Sequence, residues 1–184
     1  VSLLDTMPEK AKSIQISLIQ YLRMTLAKFK QEYHSIAQEI EMIRAYLDIL
    51  AVPHENRLAY RINIPETLMK KSVPAMLIHS FMDKIANLIP HSDLKKEIIL
   101  KGSEGVDGLR FELSGSGMDG VFNDQIMHHL KNTNERLEKI YGDAGRLILT
   151  PGTAGARKII LKFPHKEIQH INGGVHSSYL KHSS

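Results

Sequence analysis

Apolar residues repeat at three- and four-residue steps through the first third of the chain. Thr6–Glu9 forms a capping box that predicts the start of a helix, and the apolar stripe Ile14–Phe29 continues it. A second capping box at Ser35–Gln38 opens another helix, whose narrow, heptad-like stripe Ile36–Leu50 is typical of helix-on-helix packing. Pro53 ends this second helix. The first third of the chain is therefore predicted to form two long helices joined by a short polar link.

After Pro53 the pattern alternates between strand and helix. The predicted elements are the strand Leu58–Ile64, a helix that Pro74 opens in its first turn and Pro90 stops, the strands Glu97–Lys101 and Leu109–Leu113 joined by the turn-rich stretch Gly102–Gly108, a helix Gln125–Tyr141 capped by Asn123, and the strands Arg146–Thr150 and Lys158–Phe163 around the turn Pro151–Gly155. This order predicts an α+β fold, an α/β sandwich in which a mixed sheet carries helices on one face, preceded by a long N-terminal helix.

The helix that begins at Pro74 carries polar residues between its apolar positions. His79, Asp83, Lys84 and Asn87 lie three and four residues apart, so they share one side of the helix. Such a side can line a nucleotide site or simply face water.

Composition narrows the classes of protein. The chain has 184 residues, of which 42% are hydrophobic and 24% charged, enough for one compact domain with an appendage. A net charge of +4 without a concentrated basic stripe argues against a nucleic-acid binder. The absence of cysteine excludes disulfides, thiol catalysis and cysteine-based zinc sites. No apolar run reaches the roughly 18 residues of a membrane span, and no metal site is predicted, because His165, His170 and His176 have no acidic partner at ligand spacing.

Three stretches carry a resemblance to a known family. Val73–Ile89 resembles the N-box helix of GHKL-type ATPase domains in LytS/YehU-like sensor histidine kinases, which typically reads "iPPMLLQPLVENAIKHG". Tyr21–Leu26 is similar to that family's "LLRYSL", and Glu39–Ile49 to its "EELELIRNYLEIEKIRF". The resemblance covers roughly Leu4 to Pro164. It implies the GHKL (Bergerat-type) sandwich, with ATP and magnesium as the family's ligands.

The N box departs from the family at its chemical residues. The family's catalytic Glu falls on Asp83, and its magnesium-binding Asn falls on Lys84. Magnesium takes hard oxygen ligands, so an ammonium group cannot replace the Asn. Lys84 could instead contact phosphate as a point charge, and Asn87, one turn further along the same side, could supply an oxygen.

The second family box, "DNGPGI", is also altered. With Gly117 kept in register, the adenine-binding Asp falls on Gly115 and the following Asn on Ser116. The glycines remain in a loose form and are equally compatible with a flexible turn between a strand and a helix.

The third family box, "GxGLxNVRERL", keeps its end and loses its glycines. Leu130 and Asn132 match the family, whereas the two glycines have become Met127 and His129. Backbone N–H groups at a helix start hold phosphate only where side chains leave room, so these two residues are expected to fill the phosphate site. The family's acceptor-histidine segment, "PHFLFN", does not occur in this sequence.

Together, these departures lead to the prediction of a cytoplasmic signal-transduction region of a two-component sensor kinase. We expect a helical, dimerisation-like segment at residues 1–34, an ATPase-like domain at 35–164 and a flexible tail at 165–184. The enzyme is expected to be inactive and to act by protein contact, with no catalytic residue assigned and no cofactor assigned. The alternatives are a working ATP-binding kinase domain that uses Lys84 and Asn87, and a non-enzymatic binding module on the same fold.

The predicted partners follow from the same resemblance. A homodimer is expected through the N-terminal helices, with the stripes Ile14–Phe29 and Ile36–Leu50 as candidate surfaces. A response regulator or another signalling protein is the expected partner, without nucleic acid. The chain starts at Val1 instead of Met, so we expect it to be a piece of a longer protein whose other segments could attach it to a membrane.

Overall fold

The computed structural model describes residues 8–28, 30–51, 58–86, 96–116, 124–151, 157–165, 170–171 and 174–175. The helices are α1 (Pro8–Lys28), α2 (Ile36–Ala51), α3 (Glu66–Met69), α4 (Leu77–Ala86) and α5 (Asp124–Tyr141), and a 3-10 turn, Gly142–Ala144, follows α5. The strands are β1 (Tyr33–Ser35), β2 (Leu58–Asn63), β3 (Ser72–Pro74), β4 (Lys96–Gly105), β5 (Gly108–Gly115), β6 (Arg146–Pro151), β7 (Arg157–Phe163), β8 (His170–Ile171) and β9 (Gly174–Val175).

Five strands form the main sheet, in the order β2-β4-β5-β7-β6. β2 and β4 pair in parallel, with Leu58 opposite Lys96. The pairs β4–β5, β5–β7 and β6–β7 are antiparallel. A parallel pair needs a crossover connection, and here the crossover contains α3, β3 and α4.

One face of this sheet is covered and the other is polar. Along β5, Leu109, Phe111 and Leu113 are buried, whereas Arg110 is exposed and Glu112 bonds to Lys158 on the outer face. This period of two is the pattern of a sheet with one packed face. The apolar residues of α2, α4 and α5 share one hydrophobic core with the buried side of the strands. The predicted α+β sandwich with helices on one face is confirmed.

The predicted capping box at the start of α2 is present. The backbone N–H of Ser35 donates to Oε1 of Gln38 at 2.8 Å, and the backbone N–H of Gln38 donates to Oγ of Ser35 at 3.2 Å. Each side chain thereby satisfies an amide that the helix leaves without a partner.

The apolar stripe of α2 faces the domain core and not a partner. Ile36, Ile40, Ile43 and Leu47 are buried among the core residues. The prediction that the stripe Ile36–Leu50 could serve as a dimer surface is therefore wrong for these positions. A heptad-like stripe fits any helix-on-helix contact, and here the contacts are with α1 and α4 of the same chain.

Pro74 does not lie in the first turn of the helix that follows it. It ends the short strand β3, which pairs with β1 and sets Tyr33 opposite Pro74, and α4 begins only at Leu77. A proline at the end of a short edge strand removes no ladder hydrogen bond that the sheet needs. Met76 delays the helix, because its φ of 60° lies in the left-handed region.

The stretch predicted as a turn, Gly102–Gly108, is mostly strand. β4 continues to Gly105, β5 starts at Gly108, and Pro151, placed in a turn by the sequence, is the last residue of β6. Gly102 fits the strand because a Cβ at that position would come within 3.0 Å of the Ile64 side chain. The glycine marks a close approach and not a turn.

Two short strands, β8 and β9, pair antiparallel within the predicted tail, with His170 opposite Val175. The predicted helix boundaries at Thr6, Pro53, Pro90 and Asn123 lie outside the described residues.

Candidate functional site

Helix α4 lies between α2 and α5 on the covered face of the sheet. Leu77, Ile78, Phe81, Met82 and Ile85 are buried on it. His79, which the sequence placed on a polar side of the helix, is buried as well. His79 therefore faces α1 and not water.

The turn that leads into α4 is held from several elements. The N–H of Ala75 donates to the carbonyl of Glu32 at 2.9 Å, and the guanidinium of Arg136 on α5 donates to the carbonyl of Ala75 at 2.6 Å. Met76 occupies the left-handed region without being glycine. Such a backbone costs about 1–3 kcal/mol and persists only where surrounding contacts fix it.

Glu39 on α2 supplies the contact that caps α4. Its Oε1 accepts the N–H of Met76 at 2.7 Å, and its Oε2 accepts the N–H of His79 at 3.0 Å. His34 Nδ1 lies 2.6 Å from the same Oε1, and both side chains are 0% exposed. An ionised carboxylate accepts but cannot donate, so three N–H groups suit it, and negative charge is favoured at a helix N-terminus.

His79 links α4 to the N-terminal helix. Its Nε2 lies 2.9 Å from the hydroxyl of Tyr21 on α1, and the two rings stack with centroids 5.7 Å apart. The ring of Tyr46 on α2 packs against His79 at 5.5 Å. Burial lowers the pKa of His79 below its usual value, although the charges of Glu39 and Asp83 oppose that shift. Burial, followed by the charge of Asp83, raises the pKa of Tyr21.

Asp83, at the family's Glu position, lies near this cluster. It is half-buried, and its charge acts on both Tyr21 and His79. The side chain of Lys84 and the whole of Asn87 lie outside the described residues, so the predicted pairing of these two in a nucleotide site stays a prediction.

Gly115 ends β5 opposite Ile98 of β4. A Cβ built on Gly115 would lie 1.9 Å from the carbonyl oxygen of Glu97 and 3.2 Å from the Cα of Ile98. No side chain fits there without moving a strand. The residue at this position therefore does not fit the adenine contact that the resemblance implies.

Ser116 follows Gly115 and has a structural contact. Its Oγ accepts the N–H of Glu97 at 2.9 Å, which extends the β4–β5 contact by one residue. Gly117, the third predicted residue of this loop, lies outside the described residues.

The described part of α5 divides its predicted residues between core and surface. Leu130 is buried in the core, and Asn132 is exposed. Met127 and His129 lie within the first turns of α5, but their side chains are outside the described residues. The side chain of Lys84 and the whole of Asn87 and Gly117 lie outside the described residues, so the predicted set of eight site residues stays a prediction.

The residues that hold the α4 turn were missed from the sequence. In the sequence, Glu39 was noted only as the first residue of the stretch Glu39–Ile49, and Arg136 was assigned no role. A signal was present, since Glu39 lies between Ile36 and Ile43 on the apolar side of α2. An acidic residue among buried positions needs a buried partner.

Two depressions of the described surface lie away from α4. One, of about 500 Å³, is lined on the outer sheet face by residues that include Asn63, Lys101 and Arg110. Within the described ranges, no three histidine, aspartate or glutamate side chains converge closely enough to hold a metal ion.

Comparison with known proteins gives two independent matches. The family model described as "Histidine kinase" matches residues 1–58. Sensor protein LytS from Staphylococcus saprophyticus subsp. saprophyticus is 22% identical over 148 residues, which cover 73% of this chain and 25% of that protein. The chain thus spans about a quarter of this relative's length.

Solved structures agree on the fold. The catalytic domain of the histidine kinase ThkA aligns with a TM-score of 0.54 at 9% identity, over 72% of this chain and 95% of that one. The histidine kinase domain of a blue-light activated kinase from Erythrobacter litoralis aligns with a TM-score of 0.51 at 9% identity, over 83% and 75%. The predicted resemblance to the LytS-like histidine kinases is confirmed. Among the described residues of this LytS-like domain, no helix has the length and apolar character that a membrane span requires.

Proposed function

We propose that this LytS-like domain is the cytoplasmic signalling region of a two-component sensor protein whose ATP site is eroded and which acts by protein contact. The observation that carries this proposal is the packing at Gly115. At the position aligned with the family's adenine-binding Asp, a Cβ would lie 1.9 Å from a backbone oxygen of the neighbouring strand. The missing carboxylate and the crowded backbone at Gly115 both support the proposed loss of the adenine contact.

Two further departures support the same conclusion. Lys84 stands where the family places its magnesium ligand, and an ammonium group cannot coordinate a cation. Met127 and His129 replace the glycines that leave space for phosphate beside backbone N–H groups. Adenine, metal and phosphate contacts are thus altered at separate points of the sequence, whereas the core that supports them is retained.

A protein-contact function also accounts for the exposed side of α1. Leu18, Leu22 and Leu26 of the predicted stripe are exposed by 42%, 47% and 71%, and Ile16 and Ile19 lie open beside them. We propose that this side of α1 pairs with a second copy of the chain. Large apolar residues grouped on one side of a helix mark an interaction surface.

A response regulator is the proposed signalling partner. The histidine kinase ThkA has been solved in complex with the response regulator protein TrrA, and that structure aligns with a TM-score of 0.51 at 11% identity, over 84% of this chain and 49% of that one. The likeness concerns the fold, so the partner stays a proposal for this chain.

Calorimetric titration of ATP and ADP, with and without magnesium, tests the proposed loss of nucleotide binding. We expect no binding heat and no nucleotide-dependent rise in melting temperature, because a ligand that binds only the folded state would raise it. The control is the catalytic domain of a LytS kinase under the same conditions. Magnesium-dependent binding in the micromolar range would establish a working nucleotide site and direct mutagenesis to Asn87.

A matched variant separates the altered contacts. Lys84→Asn restores the family's metal ligand alone. We expect this variant to show no binding heat, because the adenine contact at Gly115 is still missing. Binding by Lys84→Asn would show that only the metal position was lost and would remove Gly115 as the deciding residue.

A further inference from the structure

One chain of contacts runs from α1 to the first turn of α4. The Tyr21 hydroxyl on α1 lies 2.9 Å from Nε2 of His79. The backbone N–H of His79 donates to Glu39, and the other oxygen of that carboxylate accepts the N–H of Met76. Tyr21 and His79 are separated by 58 positions in the sequence. The contact therefore couples two distant segments and does not merely stabilise one element.

The turn at the end of this path is held mainly by groups of other elements. Met76 has φ of 60°, and hydrogen bonds from separate parts of the chain hold the turn: those of Glu32, Glu39 on α2 and Arg136 on α5. The carbonyl of Met76 also accepts the N–H of Ser80 in α4. A residue in a sparsely populated backbone region persists only where surrounding contacts fix it. Loss of one of these contacts therefore favours relaxation of the turn.

Because the Glu39 carboxylate is buried, its contacts with the turn at Met76 are expected to form or break together. Glu39 and His34 are both 0% exposed, so neither side chain can exchange a lost partner for water while the core stays closed. Loss of one N–H donor leaves a buried carboxylate oxygen with fewer hydrogen bonds than it has in this structure, which is unfavourable. Met76, His79 and Glu39 are therefore expected to move as one unit, and packed polar networks of this kind switch between discrete arrangements.

The input end of the path is open to a partner. α1 packs on α2 with one side, while Ile19, Leu22 and Leu26 on the other side are exposed. Tyr21 lies between these exposed positions in the sequence and is itself half-buried. A protein that binds the exposed side of α1 contacts the same helical turns that hold the Tyr21 hydroxyl over His79.

We propose that the Tyr21–His79 contact is a conformational link, through which the position of α1 sets the conformation of the Pro74–Met76 turn and the start of α4. The link operates whether or not nucleotide binds, so it stands independently of the proposed erosion of the ATP site. Its elements are the hydroxyl of Tyr21, the ring and N–H of His79, and the Glu39 carboxylate.

Residue-resolved hydrogen exchange by NMR tests this link at the amides of Met76 and His79. The variant is Tyr21→Phe, which keeps the ring stacking and removes only the hydroxyl. The control is Tyr60→Phe, which removes a hydroxyl that donates to Asp48 at 2.5 Å between β2 and α2. Both variants lose one tyrosine hydrogen bond, but only the first lies on the proposed path.

We expect Tyr21→Phe to speed exchange at the Met76 and His79 amides by about three- to tenfold, the range for the loss of one hydrogen bond. Amides of the sheet core, such as that of Leu113, should be unchanged, and Tyr60→Phe should leave the α4 amides as they are. Unchanged exchange at Met76 and His79 would overturn the proposal. So would an equal increase at all amides, since that would report global destabilisation and not a link.

Discussion

At the scale of single residues, the proposed loss of the adenine contact depends on the packing around Gly115. The aspartate of the family needs a side chain there, whereas this backbone leaves no room for a Cβ beside Glu97. Once two strands have closed over a glycine, restoring the older residue requires moving the strand. This explains why reversing the substitution alone is not expected to restore nucleotide binding.

Replacing Gly115 with alanine tests this packing directly. We expect Gly115→Ala to lower the free energy of unfolding by about 1–3 kcal/mol, the range for overpacking, since the clash is with backbone atoms. Urea unfolding followed by circular dichroism measures it. The control is Gly105→Ala, where no atom lies within 4 Å of the new Cβ, and it should change stability by less than about 0.5 kcal/mol. Equal effects at the two glycines would contradict the predicted clash.

His79 makes stability depend on pH. Burial lowers its pKa in the folded state below the usual 6.5, so the unfolded chain binds the proton more readily. Its contribution to stability is complete above about pH 6.5 and is lost as the pH falls towards the lower, folded-state pKa. Tyr21, Glu39 and Asp83 face the ring, and the two carboxylates reduce the effect without reversing it.

Urea unfolding at about pH 7.5 and about pH 5.5 checks this dependence, with His79→Gln beside the natural chain. We expect the natural chain to lose more stability on acidification than the variant, because only the natural chain has this group to protonate. The same loss in both proteins would place the pH dependence elsewhere.

The sequence showed part of the site and could not show the rest. It identified Gly115 and Lys84 as departures from a motif, because a motif is a local pattern. It did not reveal the contact between Gly115 and Glu97 or the contacts of Glu39 with Met76 and His79, because these join segments that only folding brings together.

At the scale of elements, α1 differs from every other helix in how little of its apolar surface is covered. The core holds residues of α2 to α5, whereas α1 exposes Ile16, Leu18, Ile19, Leu22 and Leu26. Such an exposed apolar side supports the proposed pairing of α1 with a second copy of the chain.

The proposed pairing through α1 predicts concentration-dependent association. We expect the natural chain to dimerise in sedimentation velocity experiments and Leu22→Glu, at a position 47% exposed, to remain monomeric because a charge would be buried in the pair. The far-UV circular dichroism spectrum of the domain should not change, since Leu22 lies outside the core. Gln20→Glu adds the same charge at an exposed polar position of α1 and should still dimerise. Identical distributions for the two variants would exclude this surface.

Element lengths explain which predictions succeeded. The long helices α2 and α5 and the sheet strands were predicted within a few residues, since several repeats of the pattern define each of them. β1, β3 and α3 were missed because they contain only three or four residues. Such segments show no period, and their contacts with other segments determine them.

At the scale of the whole molecule, the fold of histidine kinase catalytic domains is retained at low sequence identity. The ThkA catalytic domain shares 9% of its residues with this chain in the aligned region and still has the same fold, at a TM-score of 0.54. A core tolerates many apolar replacements as long as pattern and volume are kept. A nucleotide site has no such tolerance, because each contact needs one kind of atom at one place.

The parallel pairing of β2 with β4 has a consequence for the order of folding. The β4–β5 hairpin closes over Val106 and Asp107 alone, whereas β2 reaches β4 only across residues 64–95. Closing a longer loop costs more chain entropy before the strands make stabilising contacts. Strands that are close in the sequence are therefore expected to pair first. We therefore expect the hairpins β4–β5 and β6–β7 to form before the pairings β2–β4 and β5–β7, which close longer loops. During synthesis, β2 leaves the ribosome before β4, the strand with which it pairs in the described sheet, has been made.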